Sequence, residues 1–400
     1  MNTAAAKRPL EGIRVIDLSR VLAGPLCGQM LADMGAEVIK VEAPGGDENR
    51  QWGPMNPAGH SCNFMSVNRG KRGITLNLKT EGGRAVLDQL LAKADVLLHS
   101  FLPGTARALG IEEDVLRERH PHLVVAGISA FGASGELADR PGYDALLQAF
   151  SGIMSITGER DGAPVRSGVS FVDMATGVMA YCGVLTALMG RHRSRQGDLV
   201  HVSLLETAVS LLGYHGVGWM EAGVLPKREG SGLGHLIPYQ CFRCRDGEVL
   251  TGALNDHTWV KLCRAVERPD LERDPGLATN AGRVARRAEV VGEFEKIFAS
   301  GTVAYWLDRL EAGGVPIAPL HTIDQALSHP QSVANGMVVE VEGPEGKPLK
   351  LLGSPFKVGK GPNHAPRRPP LLGEHSEDVL RELLAMDAAQ VNALRAQGAI

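Results

Sequence analysis

The residue best placed to do chemistry is Asp173, in Val172-Asp-Met-Ala-Thr-Gly177, between Arg166-Ser-Gly-Val-Ser-Phe171 and the uncharged stretch Met174 to Gly190. A carboxylate just ahead of an apolar helix is an ordinary N-cap. The same position turns it out of the fold, where free N–H groups and the helix dipole would keep it ionised as a poised nucleophile. Asn68-Arg-Gly-Lys-Arg-Gly73 sets three cations in a glycine-punctuated loop before a strand. Taken alone it reads as a solvated turn, and more sharply as a cradle for a ligand's phosphates. Arg140-Pro-Gly-Tyr-Asp144 and the run Gly230 to Tyr239 add Tyr143, Asp144 and His235, each equally suited to a structural turn. Cys241 and Cys244 form the one CxxC pair among six cysteines, without a second pair at zinc spacing, so two thiols on a strand are favoured over a metal site.

These residues need a scaffold. Gly12 to Leu18 is a β-branched apolar run, followed by a loop through Ala23-Gly24-Pro25, a helical pattern from Leu26 to Met34 and a strand from Glu37 to Glu42. That is a βαβ unit. Alternation continues with strands at 73–78, 95–99 and 123–128 and a helix at 81–93, which predicts a doubly wound α/β domain. A nucleotide would suit the first strand–turn–helix, and Glu42 stands where a ribose-binding acid belongs; the loop Ser19 to Gly28 nevertheless lacks GxGxxG, which makes a dehydrogenase a minor reading. Pro226 to Gly234 is a linker by composition, and a second lies at His329-Pro330. The expected domains are therefore 1–225, a smaller inserted α+β domain at 226–329, and a segment 330–400, whose tail carries Pro362, Pro366 and Pro369-Pro370 before a terminal helix.

Bulk properties narrow the classes. With 400 residues and 44% hydrophobic content the chain can bury a large core. A net charge of −3, from 42 basic against 45 acidic residues with scattered basic runs, gives no footprint for nucleic acid. Met174 to Gly190 is shorter than the ~20 residues a bilayer needs and contains glycine, Thr and Tyr, so it reads as a buried core helix and no membrane partner is expected. The N-terminus lacks a secretory apolar stretch, and reduced thiols in a cytoplasm are the expectation.

Together the segments Pro9 to Leu18, Arg20-Val-Leu-Ala-Gly-Pro25, Asp33 to Glu42, Asn68 to Lys79, Phe131 to Gly135, Arg140 to Asp144, Val172 to Gly177 and Pro369 to Gly373 resemble the class III coenzyme A transferases, the CaiB/BaiF family that includes formyl-CoA transferase. Trp52-Gly-Pro54, His235-Leu-Ile-Pro-Tyr-Gln240 and Asn335-Gly336 look like its succinyl-CoA-dependent glutarate or hydroxymethylglutarate members. The resemblance implies a Rossmann-like large domain built from both chain ends, a small inserted domain, and an interlocked homodimer. It implies Asp173 as the catalytic residue and a coenzyme A site drawn from Arg20, Val21, Leu22, Ala23, Leu76, Lys79, Ser100, Phe101, Tyr143 and Asp144. An arginine of the formyl-transferring members falls on Ala108, for which Arg107 is the substitute. Those members also have Gln at Leu22 and a glycine-rich loop at Thr251 to Asn255, so a formyl/oxalate pair is not expected.

The implied chemistry is transfer through a mixed anhydride and an aspartyl-CoA thioester on Asp173, with acyl-CoA as substrate and no permanently bound cofactor or metal. Backbone N–H groups near Ala23 or at Gly252 to Asn255 are candidates for the oxyanion. A dicarboxylate acceptor needs a cation or donor, for which Arg20, Arg50, Arg166 and His235 are candidates, with Trp52 in a matched substrate segment. Two alternatives stand beside this. An α-methylacyl-CoA racemase would need a base, and its histidine falls on Tyr143, with a pKa near ~10 unsuited to the task. A non-catalytic acyl-CoA-binding protein would bind without turnover.

Overall fold

The computed structural model describes residues 8–359 and 367–400; Pro362 and Pro366 of the predicted tail lie outside the described residues. Six parallel strands form the main sheet: β1 (Arg14–Leu18), β2 (Glu37–Glu42), β3 (Arg72–Thr75), β4 (Val96–His99), β5 (Val124–Ser129) and β6 (Leu199–Ser203). Their order is β3-β2-β1-β4-β5-β6. In such a sheet the chain leaves β1 in one direction and β4 in the other, so a crevice opens at the carboxyl ends of these two neighbours.

Strand alternation decides what each face carries. Ile16, Leu18, Ile39, Val41, Leu97 and Val125 share one core with helix residues Leu87, Leu90, Val379 and Leu380. Asp17 and Lys40 alternate with these apolar neighbours, and Asp17 lies beneath α1 (Ala23–Asp33). That packing needs Gly28: a Cβ there would come 2.7 Å from Asp17 Oδ2. The connecting helices are α2 (Cys62–Ser66), α3 (Glu81–Leu91), α4 (Pro103–Leu109), α5 (Glu113–Arg119), α6 (Asp144–Phe150), α7 (Phe171–Ser194) and α8 (Leu204–Ser210). Thr80 caps α3 by accepting from Gly83 N–H. By length and composition α7 could cross a membrane, yet nine of its residues are buried and Gly177 brings it against Ala23 of α1.

By its internal contacts the chain divides into two compact units. One comprises Met1–Ser151, Gly168–Gly213 and Pro330–Ile400; the other comprises Gly152–Ser167 and Tyr214–His329. Residues 152–167 and 214–225, upstream of the linker at Pro226, thus group with the second unit. That unit holds an antiparallel sheet of β7 (Tyr239–Arg243), β8 (Glu248–Gly252) and β9 (Ile317–Pro319) over an aromatic core of Phe242, Trp259, Phe294, Phe298 and Trp306. Cys241 and Cys244 are free thiols at and just beyond β7. Among the described residues no group of three His, Cys, Asp or Glu side chains is placed to hold a metal ion.

Candidate active site

The loops leaving β1 and β4 enclose a cavity of about 200 Å³ at the crevice. Arg20, Val21, Leu22, Ala23 and Gly24 line it from the first loop, Ser100 and Phe101 from the second, and Glu48, Ile128, Ser129, Tyr143, Asp173 and Leu204 are among its other walls. The first loop is held at each step. Ser19 N–H and Oγ donate to Asp17, Lys40 Nζ donates to Ser19 O (3.0 Å), and Arg20 N–H donates to Ser100 Oγ (3.1 Å). Val21 N–H points at Asp47 (3.3 Å), and Val21 O accepts from Asn49 Nδ2 (2.6 Å). This clamp matters because Val21 has φ of +68°, a conformation that strains a β-branched residue.

Beneath the loop runs a buried set of ion pairs: Lys71 with Asp17 (2.8 Å) and Lys40 with Asp47 (2.9 Å), all four side chains sealed from solvent. Burial alone would push the Asp17 carboxyl up, but Lys71 and Lys40 outweigh it and hold it below the usual range. Both expectations for Asn68 to Gly73 therefore fail. Its cations are neither solvated nor free for phosphate: Arg69 binds Asp33, Lys71 binds Asp17, and Arg72 binds Glu37 and Glu382. Glu42 is likewise occupied, by Arg50 Nε and Nη2, each at 2.7 Å, and no ribose-binding acid remains there.

Asp173 sits in the first turn of α7, only 8% exposed, and no described group donates a hydrogen bond to its carboxylate. It is not the helix cap. Asp144, at the start of α6, accepts from Val172 N–H (2.9 Å) and Asp173 N–H (3.1 Å) through Oδ2, while Gln148 donates to its Oδ1. The expectation that helix amides keep Asp173 ionised is thus overturned: burial, and then the neighbouring Asp144 charge, push its carboxyl up to about 7.

The model of CoA-transferase family III matches residues 10–376. The chain belongs to CoA-transferase family III. This CoA-transferase is 36% identical to the succinyl-CoA:glutarate CoA-transferase of Mus musculus, over 98% of this chain and 90% of that one. It is also 36% identical to the acetyl-CoA:oxalate CoA-transferase of Acetobacter aceti, over 96% and 98%. Among solved structures, a CaiB/BaiF family protein from Brucella suis superposes with a TM-score of 0.85 at 34% identity, over 94% of this chain and all of that one.

Of the residues singled out in the CoA-transferase sequence, Arg20, Val21, Leu22, Ala23, Ser100, Phe101, Tyr143 and Asp173 come together in one cavity. Asp144 supports it from behind, as the cap of α7. Leu76 does not join: it is 1% exposed and packs in the core beneath α3. Lys79 is exposed in the loop before α3. Arg107 lies on a neighbouring cavity of about 340 Å³ that shares Phe101, Ile128 and Ser129 with the first, and it faces Glu112 at 3.6 Å. Arg50 is committed to Glu42 and lies over the Phe64 ring, and Trp52 follows it, accepting from Ser61 Oγ through its carbonyl. Arg166 and His235 belong to the second unit, where the His235 ring packs edge-on to Tyr214. Sequence reasoning missed Glu48 and Leu204, whose signals were only a Gly-Gly-Asp-Glu turn and an unassigned strand end, and it missed the clamp formed by Asp47, Asn49 and Lys40.

Proposed function

We propose that this enzyme transfers coenzyme A from succinyl-CoA to a dicarboxylic acid through a thioester on Asp173. The observation that carries the reading is the buried Asp173 carboxylate, without a hydrogen-bond donor among the described residues, on the cavity at the sheet's switch point. Its oxygen attacks the donor thioester carbonyl and expels the coenzyme A thiolate, leaving a mixed anhydride. The thiolate then attacks the aspartyl carbon, and the donor's acid departs as a carboxylate carrying the Asp173 oxygen. The acceptor carboxylate repeats the sequence in reverse, so the thioester bond energy is conserved.

Negative charge developing on the carbonyl oxygen needs fixed donors. The start of α1 supplies them, because no side chain caps it and Leu22, Ala23 and Gly24 line the cavity. For the far carboxylate of the acid, Arg20 is the sole cation lining this cavity among the described residues, and no acidic partner claims it. Names alone leave the acid open among dicarboxylates, since a glutarate enzyme and an oxalate enzyme are equally identical to this chain; Arg20 supplies a cation for the second carboxylate of such an acid. A homodimer is supported by the helix Gly213–Ala222, which buries none of its residues and exposes Tyr214, Val217, Trp219 and Met220. A cytoplasmic setting accords with six free thiols.

The test is Asp173→Ala, assayed with succinyl-CoA against glutarate, hydroxymethylglutarate, itaconate, malate, mesaconate and oxalate. Turnover should vanish with the circular dichroism spectrum unchanged, and mass spectrometry should find CoA-loaded protein in the wild type alone. Full activity in the variant would sink the mechanism. Exchange of an α-proton for deuterium without transfer would point instead to a racemase.

A further inference from the structure

Asp144 occupies the hydrogen-bonding positions at the start of α7 that an N-cap side chain would otherwise take. Two backbone N–H groups at the start of α7 and the Gln148 amide fix its carboxylate, and it is 5% exposed. Ser170, the N-cap of α7, provides no side-chain cap. The positive end of the helix is therefore matched by the Asp144 charge, and Asp173 is left beside an anion with no hydrogen-bond donor among the described residues.

We propose that Asp144 is a positioning residue that makes the site favour the uncharged, acylated forms of residue 173 over its free carboxylate. This rests on Asp173 being the nucleophile. Loading begins with one negative charge on residue 173 and ends with that charge on the departing acid; the aspartyl group exchanges one C–O bond for a C–S bond, the donor acyl group exchanges its C–S bond for a C–O bond, and no proton or electron is left over. Residue 173 is neutral as anhydride and as thioester. A fixed anion beside it opposes the starting form alone, which leaves the carboxylate more basic and pushes charge towards the acid that leaves.

The other ionisable groups on the cavity are Arg20, Glu48 and Tyr143, while α1 and α8 contribute the uncharged Ala23, Gly24 and Leu204. Arg20 and Glu48 are exposed and opposite in sign, so water screens both. Tyr143 is half exposed. Asp144 is the buried charge, and its field acts with the least screening.

Asp144→Asn separates charge from cap, because its side-chain oxygen can still accept both N–H groups. With aspartate carboxyls labelled with carbon-13, and the residue 173 signal assigned by its loss in Asp173→Asn, residue 173 should titrate near 7 in the wild type. In Asp144→Asn its midpoint should fall by about one pH unit, the pH midpoint of kcat/KM should fall with it, and CoA-loaded enzyme at a fixed ratio of succinyl-CoA to succinate should drop about tenfold. An unmoved titration in folded Asp144→Asn would overturn the proposal. So would a wild-type residue 173 titrating in the ordinary range near ~4, whichever variants fold. Failure of the nucleophile reading is distinguishable: no CoA-loaded protein would form in the wild type and Asp173→Ala would turn over, whereas the carboxyl titration is read without turnover.

Discussion

A carboxylate that titrates near 7 in the folded chain and near 3.8 when unfolded makes stability depend on pH. Because the folded value is the higher one, the folded state binds the extra proton between the two. The resulting stabilisation is full below about 4 and is lost as pH rises through about 7; above that, a charged Asp173 costs up to ~4 kcal/mol relative to a neutral side chain. Asp173→Asn should therefore unfold at a higher temperature than the wild type at pH 8, with the gap closing towards pH 4.5, as followed by differential scanning fluorimetry. A gap independent of pH would refute the assignment. The sequence showed Asp173 and Asp144 but not their relation. Val172 N–H and Asp144 lie 28 residues apart, and which of two acids receives the helix amides depends on how α6 abuts α7, a tertiary contact with no local signature.

At the scale of elements, local pattern was a good guide where strands are continuous apolar runs. Glu37–Glu42 matches its expected bounds, and the strands at Arg14, Val96 and Val124 begin within two residues of expectation. Leu199–Ser203 escaped notice, being short and interrupted by His201. The cations at Asn68 to Gly73 were misread for another reason. Their carboxylates lie 54, 36, 35 and 310 residues away along the chain, and only the tertiary fold brings them in. Two glycines, legible only as helix content, let α1 sit close to its neighbours. A Cβ on Gly177 would lie 2.5 Å from Ala23 O and 3.1 Å from Leu26 Cβ, atoms that cannot rotate away. Gly177→Ala should cost about 1–3 kcal/mol through overpacking. It should also lower kcat/KM, since Ala23 is both the point of collision and part of the cavity wall. Unchanged stability and unchanged kinetics together would show that α1 and α7 are not packed this closely.

Across the whole molecule, residues near the end of the chain cover the edge of a sheet whose first strand lies near its beginning. β3 is an edge strand, and such edges invite pairing with other chains. Here Gly73 N–H donates to His375 Nδ1 (3.1 Å), His375 N–H donates to Gly73 O (2.8 Å), and Thr75 N–H donates to Ser376 Oγ (3.1 Å). Further on, Asn77 N–H donates to Ala399 O (2.8 Å), while Val379, Leu380 and Val391 enter the core beside Ile39 and Ile74. Each of those three side chains contributes roughly 1.5–3 kcal/mol by burial. Their sum rivals the ~5–15 kcal/mol that separates folded from unfolded domains. A chain ending at Gly373 should thus lose both the cover of β3 and a share of the core, giving protein that aggregates on expression and binds a hydrophobic dye. Supplying residues 374–400 as a separate peptide should restore part of the soluble fraction, because what is missing is an edge partner and an apolar face, and neither requires the peptide link. A truncated chain that stays monomeric, with an unchanged melting temperature, would contradict this account.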